Sequence, residues 1–279
     1  MARATGSSLT SDGRCWERAA VSLGRFALLT FGLALALSLP LSLATEWPWW
    51  RVFRRCVSIA AAVSLWLCLR VVEKRSLRSY GFSSGREGKR QLCFGLSLGV
   101  AALALMLGLG LLTGACALDV TTDSWKLWRT VLGFLPAALL VSVLEELVFR
   151  GVVLQPLLAC SRWFGVVASS ACYAVVHLKA APAGLLAWME LGGLFLLGGV
   201  LAVSYLVTNQ LYLAVGLHAA LAYGARVNKV LISFTDAFPG WLVGTSRLVN
   251  GLVSWAVLLL IGVIVVWWVR SSRTGGKTA

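Results

Sequence analysis

The chain has 279 residues, of which 59% are hydrophobic and only 13% charged, with a mean hydropathy of +0.83. Soluble domains are about 45–50% apolar and about 25% charged, so a soluble globular domain, a disordered chain and a collagen-like repeat are excluded. A net charge of +14 invites a nucleic-acid reading, but the basic residues sit between apolar runs and not along one polar face, so no nucleic-acid partner is expected.

Residues 1–25 form a polar, basic N-terminal segment with Arg14, Arg18 and Arg25. A first apolar run follows at 26–44. It is longer than a signal-peptide core of about 7–15 residues, which predicts a retained helix with its end kinked by Pro40. A second run covers 53–72, and a basic segment with Lys74, Arg78, Arg86, Lys89 and Arg90 fills 73–91. The third run, 92–117, contains Gly110 and Gly114 at GxxxG spacing, a signal for close helix approach. An acidic loop at 118–126 leads to a fourth run at 127–149. A short apolar stretch, 151–160, precedes runs at 163–178, 184–207, 211–224 and 251–269. The pattern predicts an all-α, polytopic integral membrane protein of about eight transmembrane helices. The larger share of the 25 Lys+Arg falls on one side when both termini are placed in the cytoplasm. That predicts a multi-pass protein of the cell (plasma) membrane, if the chain is bacterial, with cytoplasmic termini. The seven cysteines include no CxxC pair and mostly lie in apolar runs, which reads as small buried hydrophobes. Trp47, Trp49 and Trp50, and later Trp267 and Trp268, read as interfacial anchors.

Ionisable residues inside membrane helices are costly and point to function by default. Here they concentrate in the second half of the chain: Glu145, Glu146 and Glu190, with both of the chain's histidines, His177 and His218. Glu146 and Arg150 stand at i,i+4 and can pair on one helical face. Glu145 is rotated from Glu146 by roughly 100°, so the two carboxylates point to different places. Tyr173 lies one turn before His177. A carboxylate pair with two histidines offers a base, an orienting group and a polariser, the parts needed to activate water. Glu145, His177 and His218 are equally possible zinc ligands, although no HExxH is present. Glu190, near the start of a long run, reads first as structural. The same residues also suit a proton relay in a transporter.

At these positions the sequence resembles the CPBP family, also called the CAAX-protease and bacteriocin-processing or Abi family. The family pattern is EExxxR, then Phe or Tyr four residues before a His, then a His followed four residues later by Asn or Asp. Glu145-Glu146-Leu147-Val148-Phe149-Arg150 matches the first motif, and Gly151 also fits. Tyr173 to His177 matches the second, and His218 takes the histidine of the third. Ala222 stands where the Asn or Asp is expected. The resemblance implies an intramembrane endopeptidase acting on a membrane-associated or prenylated protein or peptide. It implies Glu145, His177 and His218 as catalytic residues, with Glu146, Arg150 and Tyr173 in support. No cofactor is expected, with zinc as the alternative. The partners expected are the substrate and the lipid bilayer. Ala222 leaves open an impaired member acting in bacteriocin immunity or as a membrane scaffold. The organisation that follows is 1–25 as the basic segment, 26–126 as scaffold helices, 127–224 as the catalytic core, and 225–279 as a loop, a last transmembrane helix and a basic tail.

Overall fold

The computed structural model describes residues 8–72, 74, 76–82, 85–120, 123–178 and 183–275. Parts of the basic segment at 73–91 and the last residues of the basic tail therefore lie outside the described residues. The described chain is mostly helical, and its only strands are two of three residues each, a small departure from an all-α expectation. The helices are α1 (Ser8–Leu43), α2 (Trp49–Leu67), α3 (Arg86–Thr113), α4 (Ser124–Val131), α5 (Phe134–Glu146), α6 (Gln155–Cys160), α7 (Arg162–Val176), α8 (Leu185–Thr208), α9 (Tyr212–Leu231), α10 (Gly240–Val243) and α11 (Leu252–Gly275). The strands β1 (Cys116–Leu118) and β2 (Ile232–Phe234) pair antiparallel, with Ala117 opposite Ser233.

Among the described residues, six helical segments are long and apolar enough to cross a membrane: Gly13–Leu43, Trp49–Val71, Arg86–Thr113, Ser124–Cys160, Leu185–Thr208 and Leu252–Ser272. The protein is a multi-pass helical membrane protein. The expected count was about eight, and the two runs that do not qualify have physical reasons. Helix α7 has 15 residues, about 22 Å at 1.5 Å per residue, against a hydrocarbon core of about 30 Å. Helix α9 carries His218, Arg226 and Lys229 and buries Leu213 through Leu221 in protein. The fourth run and the short stretch after it join into one segment, Ser124–Cys160. Within that segment Leu147–Leu154 is π-helical, a geometry found often at functional sites.

The fold divides into two units, Met1–Tyr80 with Leu147–Gly165, and Gly81–Glu146 with Val166–Ala279. In the first unit α1 packs on α2 around Ala34, Phe53 and Ala60. Pro40 lies inside α1, near its end. Gly151 leaves room for the Tyr80 ring, which a Cβ at that position would strike. A disulfide joins Cys15 to Cys160, with Cα atoms 5.6 Å apart. This corrects the reading of the cysteines as uniformly buried hydrophobes. The pair is 145 residues apart in sequence, and no local spacing announces it. Cys56, Cys68 and Cys116 are buried as expected, while Cys93 and Cys172 are exposed.

The second unit is built on α9. Helices α3, α5, α8 and α4 all pack against it. The α3–α9 contact is close because it is lined with glycines. A Cβ on Gly95 would run into the Leu213 carbonyl, and one on Gly216 into the Leu92 carbonyl. Backbones can meet this closely only where side chains are absent. The Gly110–Gly114 pair has other uses: Gly110 faces the Cys116 sulfur, and Gly114 caps α3 with a left-handed φ of 73°. Helix α8 carries α11 on one side and meets α7 where Gly198 faces Ser170. Trp267 is exposed on α11, and Trp268 stacks on Phe94 with ring centroids 4.2 Å apart.

Candidate active site

Three helices of the second unit bring the intramembrane acids and histidines together. Helix α5 ends on Glu145 and Glu146, α7 supplies Tyr173 with His177 just past its end, and α9 supplies His218 from its buried stretch. His218 is the hub. Its Nδ1 lies 2.8 Å from Glu146 Oε1. A carboxylate accepts, so Nδ1 donates, and Nε2 is the nitrogen turned to the other side chains. Nε2 lies 3.3 Å from the Tyr173 hydroxyl and 3.6 Å from Glu145 Oε2. Glu146 is fully buried and His218 nearly so, which makes this pair a fixed post.

His177 is oriented in a similar way. Its Nδ1 is 2.7 Å from the Tyr173 carbonyl oxygen, which can only accept. Nε2 is therefore left without a hydrogen in the neutral ring, and it faces Glu145 Oε2 at 3.5 Å. Two acceptors at that separation suit a bridging water better than a direct bond. Glu145 and His177 side chains are 27% and 29% exposed, while Glu145 Oε2 itself is buried. The Tyr173 ring lies between the histidines, 4.4 Å from the His177 ring and 5.8 Å from the His218 ring.

The sequence places Glu145 and Glu146 about 100° apart on the helix, and the structure uses that rotation. The two carboxylates approach His218 from its two nitrogens, Glu146 at Nδ1 and Glu145 at Nε2. Glu146 ends α5, and Arg150 follows it within turns that are π-helical from Leu147 and bond i to i+5. Arg150 is fully buried in the first unit, with its guanidinium 5.9 Å from the Phe149 ring centroid.

A cavity of about 270 Å³ opens on this cluster. Its walls include Glu145, Tyr173, His177, His218 and Ala222. They also include Glu190, Lys229 and Arg247, which sequence reasoning did not bring to the site. Glu190, read from the sequence as structural first, pairs with Arg247: both its oxygens lie 2.6 Å from Arg247 Nη1. Asn228, the nearest downstream asparagine to Ala222, lines a different cavity with Tyr223 and Val227. Glu145, His177 and His218 come close enough to raise the question of a metal. Among the described residues, no group of three or more His, Cys, Asp or Glu is arranged to hold one.

Residues 127–224, about a third of the chain, match a family model described as Rce1-like, type II CAAX prenyl endopeptidase. No curated protein matches the chain. The matched stretch runs from α4 into α9 and contains every side chain of the Glu–His cluster. Over residues 127–224, the stretch that carries the Glu–His cluster, the chain is therefore similar to CAAX-type prenyl endopeptidases.

Proposed function

We propose that this protein is an intramembrane endopeptidase that hydrolyses a peptide bond of a membrane-associated or prenylated protein or peptide. The observation that carries the reading is Glu145 Oε2 standing 3.5 Å from His177 Nε2 and 3.6 Å from His218 Nε2 at the wall of one cavity. A water held between Glu145 and His177 gives its proton to Glu145 and attacks the scissile carbonyl carbon. The oxyanion that forms is held by His218 Nε2–H and by the Tyr173 hydroxyl. With Nδ1 already donating to Glu146, His218 can donate from Nε2 only as the imidazolium, and Glu146 supplies its counter-charge. Glu145 then returns the proton to the leaving nitrogen as the C–N bond breaks. No metal takes part in these steps.

The test is peptide cleavage by the reconstituted protein and by Glu145→Ala, His177→Ala and His218→Ala, with bound metal measured alongside. Each variant is expected to lose at least about 10²-fold in rate. Undiminished cleavage in all three would sink the assignment, and stoichiometric zinc released on mutating Glu145 would sink the metal-free mechanism. A second reading is favoured by Ala222, which offers no side-chain donor beside His218. On that reading the protein is an impaired member acting in bacteriocin immunity or as a membrane scaffold. It predicts no cleavage by wild type and a protein partner that co-purifies.

A further inference from the structure

Arg247, Glu190 and Lys229 play no part in the water-activating chemistry, yet all three line its cavity. Lys229 and Arg247 also lie outside residues 127–224. The loop that holds Arg247 is built to keep it in place. The Thr245 amide donates to Asn250 Oδ1 at 2.9 Å, and Asn250 Nδ2 donates back to Thr245 Oγ1 at 2.9 Å. The Arg247 amide donates to the same Thr245 oxygen at 3.3 Å. Asn250 is 2% exposed, so this clasp is sealed. The loop is seated on α8 and α11: Val249 presses its carbonyl on Gly193 and accepts from Trp255 Nε1 at 3.0 Å.

Arg247 makes an uneven use of its donors. Nη1 alone carries both contacts to Glu190, although a guanidinium offers five N–H groups in a planar fork that matches a carboxylate at two points. A carboxylate already sits against this cation inside the cavity, and Lys229 adds a second positive charge to the same wall. The wall also carries Glu145 and Glu190, so its charge is mixed, and recognition of an entering carboxylate falls to the Arg247 fork in exchange with Glu190. The cavity, at about 270 Å³, lies just under the usual range for small-ligand sites, so it holds a short stretch of peptide and not a folded domain.

We infer that Arg247, assisted by Lys229, forms a carboxylate-binding subsite that engages a carboxylate of the substrate peptide, with Glu190 occupying the position until substrate arrives. The inference rests on the peptidase reading above. It adds which substrates are selected. The carboxylate is either the peptide's own C-terminus or an acidic side chain, and the test separates the two.

The test measures binding of fluorescent Ala-Val-Ile-Leu peptides to full-length Glu145→Gln protein in nanodiscs, where cleavage does not interfere. Three probes are compared: the free acid, its C-terminal amide, and an amide with Asp in the last position. Either acidic probe should bind about tenfold or more tighter than the neutral amide, and which one does so names the source. Adding Arg247→Gln should bring that ratio to about one, and Arg247→Lys should keep part of it. Adding Glu190→Gln should tighten the acidic probe several-fold by removing its internal rival. A merely structural ion pair predicts no such gain. Equal binding of all three probes, no binding of any, or a preference that survives Arg247→Gln overturns the inference. Cleavage by the wild type is scored separately. Acid-selective binding without cleavage sinks the peptidase reading and leaves the subsite standing, while cleavage without acid preference does the reverse.

Discussion

His218 meets Glu146, Glu145 and Tyr173 from a position that is 4% exposed, so its removal has two effects at once. His218→Ala takes a 2.8 Å donor from the buried Glu146 carboxylate. That should cost about 1–3 kcal/mol of stability in addition to activity. His177→Ala, at a 29% exposed side chain, should cost activity with little change in stability. Thermal unfolding in detergent separates the two, and equal destabilisation would contradict the fixed post assigned to His218. A Tyr173→Phe variant keeps the ring and loses the hydroxyl 3.3 Å from Nε2. It should lower kcat by about 10²-fold, and Ala222→Asn should restore part of that loss by adding a donor next to His218. The Glu–His cluster could be read in the sequence because acids and histidines are so rare inside apolar runs. Arg247 could not. It lies in a polar loop where any cation is expected, and only the seating of that loop on α8 brings it to the cavity.

At the level of elements, the position of α9 decides where His218 stands, and the α3 glycines decide how near α9 can come. Gly95→Leu would push a side chain into the Leu213 carbonyl and the Leu217 amide. Overpacking of this kind costs about 1–3 kcal/mol, and the displaced α9 should carry activity down with stability. Gly108→Ala is the control: a Cβ there meets nothing within 4 Å, so this change should be neutral or slightly stabilising. A fall in melting temperature equal to that of Gly95→Leu would show that the seam has been misplaced. Spacing alone misdirects here. Gly110 and Gly114 have the GxxxG interval, but one faces a cysteine and the other ends the helix. The true contact uses Gly95 and Gly99, which share that interval in the same helix. The runs themselves were readable because hydrophobicity is local. The π-helical turn after Glu146 was not, since hydrogen-bond register leaves no mark in composition.

On the scale of the whole molecule, the disulfide adds a restraint that composition did not announce. Closing a loop of 145 residues should stabilise the protein by about 2–4 kcal/mol. Reduction, or Cys15→Ala with Cys160→Ala, should lower the unfolding midpoint accordingly. No shift on reduction would mean that the two sulfurs are not joined in the mature protein. The disulfide also sets an order on biogenesis. Cys15 leaves the ribosome 145 residues ahead of its partner, a wait of roughly seven to thirty seconds at ordinary synthesis rates. Cys56, Cys68, Cys93 and Cys116 all appear during that interval. Each belongs to, or follows directly on, an apolar helix that can enter the bilayer as it is made. Rapid insertion of those helices would hide the wrong partners before the right one is synthesised. Slowed insertion should therefore show first as mispaired Cys15, well before the Glu–His cluster exists to be damaged.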